Sequence, residues 1–287
     1  MSIGEVQLTP VRPHQALLLE GEGERVLVIA DLHIGWEVSL AEGGVHVPSQ
    51  TPKLIKRLIE MIRTEEPDRL LILGDVKHTI AKIEMEEWRD VPKFFEHIQS
   101  YIGDVEVIPG NHDGNLEPLL PEFVKIGPPR GVAVGDVGLF HGHTWPDPKL
   151  LGCRTLVIGH VHPVVALRDP IGFRITKQVW VRADCDSERL ARLVLRNIGV
   201  KVRGDPGSSL RENYNVELKA SKLIIMPSFN DFLGGQAVNR RSMGRKSVFK
   251  DFIGPVLRSG SVRIDEAEVY MLDGTYLGTV NHLRTLV

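Results

Sequence analysis

Short, continuous apolar runs recur along the first two thirds of the chain, and a polar cluster follows each of them. Five stretches show this pattern: residues 25–33, 69–78, 104–113, 137–145 and 155–163. The apolar part of each has about four or five residues, rich in Val, Ile and Leu, and does not alternate with polar positions. This pattern is typical of strands that are covered on both faces.

Two stretches between these runs have apolar residues at helical spacing. Residues 49–69 carry Leu54 and Leu58 on one face, and a Ser or Thr is expected to cap the start of that helix. Residues 85–103 form a second amphipathic stretch, with an interruption expected near Pro92. The alternation of strands and helices predicts an α/β fold whose strand ends share one rim.

The last third of the chain has a different pattern. Residues 173–181 alternate between apolar and polar side chains, as in a strand with one covered face. Around Asp273 and Gly274 the sequence predicts a hairpin. The further strands expected in this part are residues 222–229, 267–272 and 275–280.

A helix is expected over residues 187–198, with Ser187 as its cap. The following stretch, residues 202–215, is rich in Gly, Ser and charge and is expected to be a mobile loop. Because no linker is long enough to separate two units, the sequence is interpreted as a single domain over residues 1–287 with two sheets.

Composition narrows the class of protein. With 35 basic and 37 acidic residues, a net charge of −2 argues against a wholly basic nucleic-acid-binding surface. The two cysteines, Cys153 and Cys185, have no partner at zinc-finger spacing, so a thiolate metal site is not expected. The first residues lack a secretory signal and no apolar stretch reaches about 18 residues, so a cytoplasmic protein without membrane contact is expected.

The polar clusters that follow the five runs are rich in side chains that bind metals. Ligands gather where the carboxyl ends of parallel strands meet, so these side chains are expected to share one crevice. Carboxylate, amide and imidazole groups suit a borderline divalent ion, whereas Mg²⁺ and Ca²⁺ prefer oxygen ligands throughout. The candidates are Asp31, His33, Asp75, Asn111, His112, His141, His160 and His162.

These candidates are too many for one tetrahedral ion and suit two ions roughly 3.5–4 Å apart. We therefore expect two divalent metal ions as cofactors, with Mn²⁺ as the first choice and Zn²⁺, Fe²⁺, Ni²⁺ or Co²⁺ as alternatives. In "DLH" and "HVH" the outer residues are two apart, so in an extended chain both would face the same site.

The motifs "DLH", "GD", "GNHD", "HGH" and "GHVH", in this order, resemble the signature of the calcineurin-like metallophosphoesterases over residues 25–163. The resemblance implies two facing mixed β-sheets flanked by helices, an αββα sandwich, with a dinuclear centre. It also implies that one metal is held by Asp31, His33 and His162 and the other by Asn111, His141 and His160, with Asp75 bridging both.

The motif "GNHD" also supplies the expected catalytic residues, His112 and Asp113. His112 would donate a proton or hydrogen bond to the phosphoryl oxygens and the leaving group. Asp113 would accept a hydrogen bond from the His112 ring and fix its orientation. Gly110 would permit the tight turn that aims them.

Other residues are candidates for contacts behind the ligands or with the substrate. Many relatives carry "GDxxD", whereas this chain has "GDVKH". Lys77 and His78 therefore either support the site, face the substrate or lie on the surface. His143 of the "HGH" motif belongs to the same set of candidates.

The stretch 239–250 concentrates basic residues, among them Arg240, Arg241 and Arg245. They would either pair with nucleic-acid phosphates or form a solvated loop. Two tryptophans next to the metal motifs, Trp36 and Trp145, would either stack on a base or pack in the core.

The leading functional hypothesis is a metal-dependent phosphodiesterase or nuclease that hydrolyses nucleic acid or nucleotide esters with a metal-activated water, so DNA or RNA is an expected partner. The alternatives are a phosphoesterase for a small metabolite, such as a cyclic nucleotide, and a non-catalytic scaffold. Whether the protein forms a homo-oligomer is left open. The segments "ADLHIGWE", "LGDVKH" and "LIIMPSFNDFLGG" resemble archaeal phosphoesterases related to the SbcD-type nucleases. Too little sequence follows His162 for the capping domain of those nucleases, so their exonuclease activity is not expected.

Overall fold

A computed structural model describes residues 5–21, 23–168, 171–240 and 253–286. The strands in these ranges are β1 (Gln7–Pro10), β2 (Leu17–Gly21), β3 (Glu24–Ala30), β4 (Arg69–Leu73), β5 (Val105–Ile108), β6 (Val124–Ile126), β7 (Val132–Val134), β8 (Val137–Leu139), β9 (Thr155–Ile158), β10 (Pro163–Arg168), β11 (Arg174–Asp184), β12 (Lys222–Ile225), β13 (Gln236–Ala237), β14 (Glu268–Met271) and β15 (Tyr276–Thr279). The helices are α1 (Glu37–Glu42), α2 (Thr51–Glu65), α3 (Met85–Gln99), α4 (Ser187–Asn197), α5 (Pro206–Tyr214), α6 (Pro255–Arg258) and α7 (Val280–Arg284).

The described strands form two mixed sheets. The first has the order β1-β2-β3-β4-β5-β6, and its strands from β3 onward are parallel. The second has the order β13-β10-β11-β12-β9-β8-β7, with β14 beside β11 and β15 beside β14. Within the second sheet, β8, β9 and β12 are parallel neighbours. Each sheet therefore has a parallel centre whose carboxyl ends lie side by side.

The apolar residues of both sheets meet in a core between them, which includes Val28 and Leu71 from the first sheet and Val137 and Val157 from the second. The outer face of the first sheet is covered by α2 and α3, and that of the second sheet by α4 and α5. The strands are thus buried on both faces, as their continuous apolar runs predicted. The expected αββα sandwich is confirmed.

The helix over residues 85–103 continues through Pro92, contrary to the expected interruption. A proline cannot donate a hydrogen bond to the carbonyl four residues earlier. Here that carbonyl belongs to Trp88, a residue with an exposed side chain. Phe94 and Phe95, which follow the proline, are fully buried against the first sheet. Their packing holds the helix together through the lost bond.

The loop expected over residues 202–215 is wrong, because most of it forms α5. Asp205 caps this helix by accepting hydrogen bonds from the amides of Gly207 (3.1 Å) and Ser208 (2.8 Å). Pro206 follows at the first helical position, where its missing N–H is not needed. The Asp-Pro pair was the helix start signal that the Gly and Ser content concealed.

Two caps also differ from the expectation. Asp186 and not Ser187 caps α4, since its carboxylate accepts from the Arg189 amide at 2.9 Å. At the start of α2 the capping position is Gln50, which makes no side-chain cap bond, although the Ser49 hydroxyl accepts from the first helical amide at 3.3 Å. None of the helices in the described ranges combines the length and apolar character that a membrane span requires.

Candidate metal centre

The polar residues that follow five parallel strands converge at one edge of the sandwich. Asp31 comes directly after β3 and Asp75 two residues after β4, while His141 and His160 occupy the same place after β8 and β9. Asn111 comes three residues after β5. The structure thus brings the seven side chains that the sequence singled out as ligands to one rim, where the ends of both sheets meet.

These side chains form two groups, and Asp75 lies between them. In the first, Asp31, His33 and His162 have ligand atoms within 4.8 Å of one another, and in the second Asp75, His141 and His160 do. The Oδ2 atom of Asp75 is 3.3 Å from His141 Nε2 and 3.4 Å from His33 Nε2. One carboxylate oxygen therefore faces both groups.

Four candidate ligand atoms, three of them in these groups and one on Asn111, are buried and make no hydrogen bond to any described residue. They are His33 Nε2, Asn111 Oδ1, His141 Nε2 and His162 Nε2. A buried polar atom without a partner costs about 1–3 kcal/mol, so four in one place need an explanation. Two ligands of one ion, each bound at about 2.1 Å, lie about 3.0–3.4 Å apart, which matches the spacings around Asp75. The residues present fit divalent metal ions.

Backbone groups fix the remaining atoms of these side chains. The His112 amide donates to Asp75 Oδ1 at 2.9 Å, which leaves Oδ2 for the two groups. The Leu73 carbonyl lies 2.8 Å from His141 Nδ1 and accepts its proton, so Nε2 is the free ligand atom. The His160 amide donates to both oxygens of Asp31, at 3.0 and 3.1 Å.

Five of the candidate ligands have a left-handed backbone, although none of them is glycine. Such a conformation costs about 1–3 kcal/mol for each residue and persists where the surrounding structure enforces it. The "DLH" and "HVH" segments are therefore not extended, contrary to the expectation from their spacing, but turn sharply as the strands end. The residues and their φ angles are Asp31 (58°), His33 (44°), Asp75 (50°), His160 (68°) and His162 (46°).

Two glycines of the motifs are required by close approach to a ligand. A Cβ atom on Gly110 would overlap Oδ1 of Asp75, and one on Gly159 would lie 2.7 Å from Oδ2 of Asp31. Each glycine therefore lets the backbone of one strand end pack against the carboxylate of another. This explains why a glycine directly precedes the candidate ligands Asn111 and His160 in their motifs.

Charge is concentrated in this small volume. Burial opposes ionisation of Asp31 and Asp75, but the nearby charges of His162 and His141 hold the pKa of each carboxyl below its usual range. Burial lowers the pKa of His33 to about 3. For His141 the charge of Asp75 outweighs burial and raises the pKa to about 9. The ionised carboxylates make the site attractive to a cation.

His112 lies at the edge of the two groups, with its Nε2 atom 4.0 Å from Asp75 Oδ2 and its side chain 21% exposed. Its Nδ1 atom donates to the backbone carbonyl of His78. The expected bond to Asp113 is not formed, because the Asp113 carboxylate accepts from the amides of Val76 (2.8 Å) and Gly110 (2.8 Å). Asp113 therefore joins two strand ends, and burial followed by the charge of Asp75 raises its pKa to about 6.

The structure also brings two further predicted histidines to the centre. His78 Nδ1 lies 3.3 Å from His33 Nδ1, on the side of the His33 ring opposite Asp75, so it can orient that ring. The His143 ring is 5.2 Å from the His141 ring, and burial followed by the charge of His141 lowers its pKa to about 4. Both rings therefore lie next to candidate ligands.

Other predicted residues lie elsewhere. Lys77 is completely buried and its ammonium donates to the carbonyl of Thr79, so of its three alternatives the surface and the substrate are excluded and support of the site remains. Trp145 packs against the core of the second sheet. Arg240 is half-buried and does not line the cleft over the metal centre. The predictions for Arg241 and Arg245 fall outside the described residues.

Residues from the last third of the chain, which the sequence motifs did not indicate, complete the site. A cleft of about 580 Å³ opens over the centre, and beside the histidines it is lined by Gly234, Gly235, Gln236 and Ile253. A Cβ atom on Gly235 would overlap the His162 carbonyl, so this segment packs directly on the metal motif. The Gly-Gly pair after "SFNDFL" was the available signal for such a close approach.

Sequence and structure comparisons place the chain among known proteins. The family model described as "Calcineurin-like phosphoesterase" matches residues 24–183, more than half of the chain. No curated protein sequence gives a significant match.

Two solved structures are similar to this chain. Nuclease MPE from Pseudomonas putida is 18% identical with a TM-score of 0.50, covering 95% of this chain and 100% of its own. Yfce, a phosphoesterase from E. coli, is 22% identical with a TM-score of 0.33, covering 50% of this chain and 73% of its own. The first likeness shows a common fold. The residues matched by the family model include every strand end that carries a candidate ligand, and the chain belongs to the calcineurin-like phosphoesterase family.

Proposed function

We propose that the protein is a metal-dependent phosphodiesterase that cleaves nucleic acid or nucleotide esters with two divalent ions. The observation that carries the proposal is the pair of ligand groups around Asp75 Oδ2, with four buried ligand atoms that have no other partner. Asp31, His33 and His162 would hold one ion, and Asn111, His141 and His160 the other. Asp75 would contact both.

The donor set mixes imidazole nitrogens with carboxylate and amide oxygens, which favours a borderline transition metal over Mg²⁺, and we propose Mn²⁺ as the working ion. Ions of this kind lower the pKa of a water molecule and polarise phosphoryl oxygens. The protein contributes by fixing both carboxylates with backbone amides: the His112 amide holds Oδ1 of Asp75, and the His160 amide holds the carboxylate of Asp31.

His112 supports hydrolysis by handling the leaving group. Because the His78 carbonyl can only accept, the proton on His112 Nδ1 stays in place and Nε2 is the atom that exchanges protons. A protonated Nε2 can give its proton to the departing oxygen and leave a neutral ring that still bonds His78. This role fits a group at the rim of the cleft, where its side chain is partly exposed.

The residues around the cleft support the proposal of a diester substrate such as a polynucleotide. The ammonium of Lys53, on α2, lies over Phe232 in the segment that leads into the cleft, and it is exposed, so it can meet a phosphate. Nuclease MPE shares the fold over nearly the whole chain, which makes nucleic acid the first substrate class to try. The narrower relation to SbcD-type nucleases stays a proposal carried by the sequence motifs.

A substrate panel tests this function. Protein loaded with Mn²⁺ would be offered an aryl phosphodiester, the matching aryl monoester, a cyclic nucleotide, and single- and double-stranded DNA. We expect hydrolysis of the aryl diester and of DNA, with little turnover of the monoester. The Asp75→Asn variant serves as the control for contaminating activity. Turnover limited to the monoester or to the cyclic nucleotide would refute a nucleic-acid phosphodiesterase.

A further inference from the structure

An exposed aromatic ring stands beside the metal centre without contributing to a core. The Phe232 ring stacks on Trp36, with ring centroids 6.1 Å apart and an interplanar angle of 15°. Trp36 is buried, whereas Phe232 is 44% exposed. The Lys53 ammonium lies 4.8 Å from the Phe232 centroid. Trp36, which the sequence offered as a base-stacking residue, is therefore covered, and the accessible aromatic surface belongs to Phe232.

The Trp36–Phe232 stack adjoins the centre from two directions. The Trp36 amide donates to the carbonyl of His33, a candidate ligand, at 3.2 Å. Phe232 is two residues from Gly234, which lines the cleft, so their Cα atoms are within about 7 Å. A nucleotide next to a phosphate at the metal centre can reach this ring.

Several contacts hold Phe232 in place. Its amide donates to the Asn230 side chain at 3.1 Å, and the buried Asn230 amide group donates to the Leu32 carbonyl at 3.0 Å. The neighbouring Asp231 pairs with Arg57 at 3.3 Å. Leu32 lies between two candidate ligands, Asp31 and His33, so the position of the ring is tied to that of the metal centre.

We propose that Phe232 is a stacking platform for a nucleobase next to the cleaved phosphate, with Lys53 pairing with a backbone phosphate. The inference rests on the proposed function and names the feature of the substrate that this part of the site recognises. Every base presents a flat apolar face, so a rigid exposed phenyl ring binds single strands with little sequence preference. Lys53 is exposed on a flexible stem, and a base can replace its weaker contact with the ring.

The test combines protein variants with oligonucleotides that lack one base. In a single-stranded oligothymidine, all linkages but one are phosphorothioates, so that cleavage occurs at one phosphate, and an abasic site is placed at each flanking position in turn. For the wild-type protein with Mn²⁺, we expect one abasic position to lower kcat/KM by about 5- to 150-fold, the range that loss of one stacked base gives. Phe232→Ala should lower kcat/KM for the intact strand by a similar factor, mostly through KM.

In Phe232→Ala, the abasic site at that position should cause no further loss of kcat/KM, because the stacking partner of the base is already gone. Phe232→Trp should restore the discrimination. Tyr276→Ala, which removes an exposed aromatic residue on β15, should behave like the wild type.

If Phe232 only shields Trp36, Phe232→Ala will instead slow cleavage of the intact and abasic strands by the same factor. That result would refute the stacking platform and leave the proposed phosphodiesterase function intact. Equal cleavage of all strands by the wild type likewise refutes the platform alone. If the wild type cleaves no strand but hydrolyses other phosphate esters, the nucleic-acid function itself fails and the platform with it.

Discussion

His112 is anchored at one ring nitrogen and open at the other, which is the arrangement that a proton donor needs. The sequence predicted the residue because "GNHD" follows a buried strand, but it placed the wrong partner behind it. The partner that orients the ring is a backbone carbonyl. Every residue has one, so no sequence pattern can indicate which carbonyl it is. The identities of the candidate ligands were readable for the opposite reason, since only a few types of side chain bind metals.

Replacement of His112 by Ala should leave the protein folded and its metal content unchanged, yet slow turnover by about 10²–10⁴-fold. The loss should be larger for substrates with a poor leaving group, such as a nucleoside, than for nitrophenolate, which departs without a proton. Measurement of kcat for both substrate types in the same variant checks this role. Equal losses would indicate positioning, and loss of metal would make His112 a ligand.

Gly110→Ala tests the close approach of the backbone to Asp75. The added Cβ overlaps Asp75 Oδ1, so the carboxylate must rotate away from the two ligand groups. We expect metal content below that of the wild type and at least about a tenfold loss of phosphodiesterase activity, since activity depends on the polarising ions. Gly103→Ala is the matched control, because a Cβ there meets no atom within 4 Å. If both variants retain full metal, the explanation of this glycine is wrong.

At the scale of elements, the start of α3 supports the metal centre through Glu87. This carboxylate is fully buried and accepts from the amides of His78 (2.9 Å), Thr79 (2.7 Å) and Glu84 (2.9 Å). It thereby holds the segment whose His78 carbonyl orients His112. The sequence showed an amphipathic helix here but not this contact, because a glutamate near a helix start is usually a solvated one.

Glu87→Ala should lower the free energy of unfolding by about 2–4 kcal/mol, since it leaves the partly buried amides of Thr79 and Glu84 without this acceptor and removes bonds to a charged group. The midpoint and slope of urea unfolding measure this change. The exposed neighbour Glu86 provides the comparison, and Glu86→Ala should change stability by no more than about 0.5 kcal/mol. Similar effects in the two variants would show that Glu87 does not support this segment.

The elements that the sequence predicted well are those with one dominant signal. The buried strands were readable from their continuous apolar runs, and the hairpin of β14 and β15 from its Asp-Gly turn. Where two signals compete, the prediction fails. In α5 the Gly and Ser residues outweighed the Asp-Pro start, and in α3 Pro92 outweighed the apolar face that packs on the sheet.

At the scale of the whole molecule, the two sheets must pack together before the candidate ligands can meet. Asp31, Asp75 and Asn111 follow strands of the first sheet, whereas His141 and His160 follow strands of the second. The sequence showed the order of the motifs along the chain. It could not show that the segment 230–236 packs against these motifs in the fold. That contact depends on tertiary packing over long sequence separations.

Metal binding should consequently stabilise the whole fold. At a concentration of Mn²⁺ about 100 times its dissociation constant, stability should rise by about 2.7 kcal/mol and Tm by about 5 °C or more. Thermal unfolding followed by circular dichroism, with Mn²⁺ or with a chelator, measures the shift. Asp75→Asn should reduce it sharply. A shift of the same size in that variant would place the stabilising ion elsewhere.

The central claim is that Asp75 joins two metal sites built from both sheets. Crystals grown with Mn²⁺, with anomalous diffraction recorded on either side of the manganese absorption edge, test it most directly. The account predicts two anomalous peaks roughly 3.5–4 Å apart, with Asp75 within bonding distance of both and three further ligands at each. A single peak, or two peaks of which one lies beyond the reach of Asp75, would contradict it.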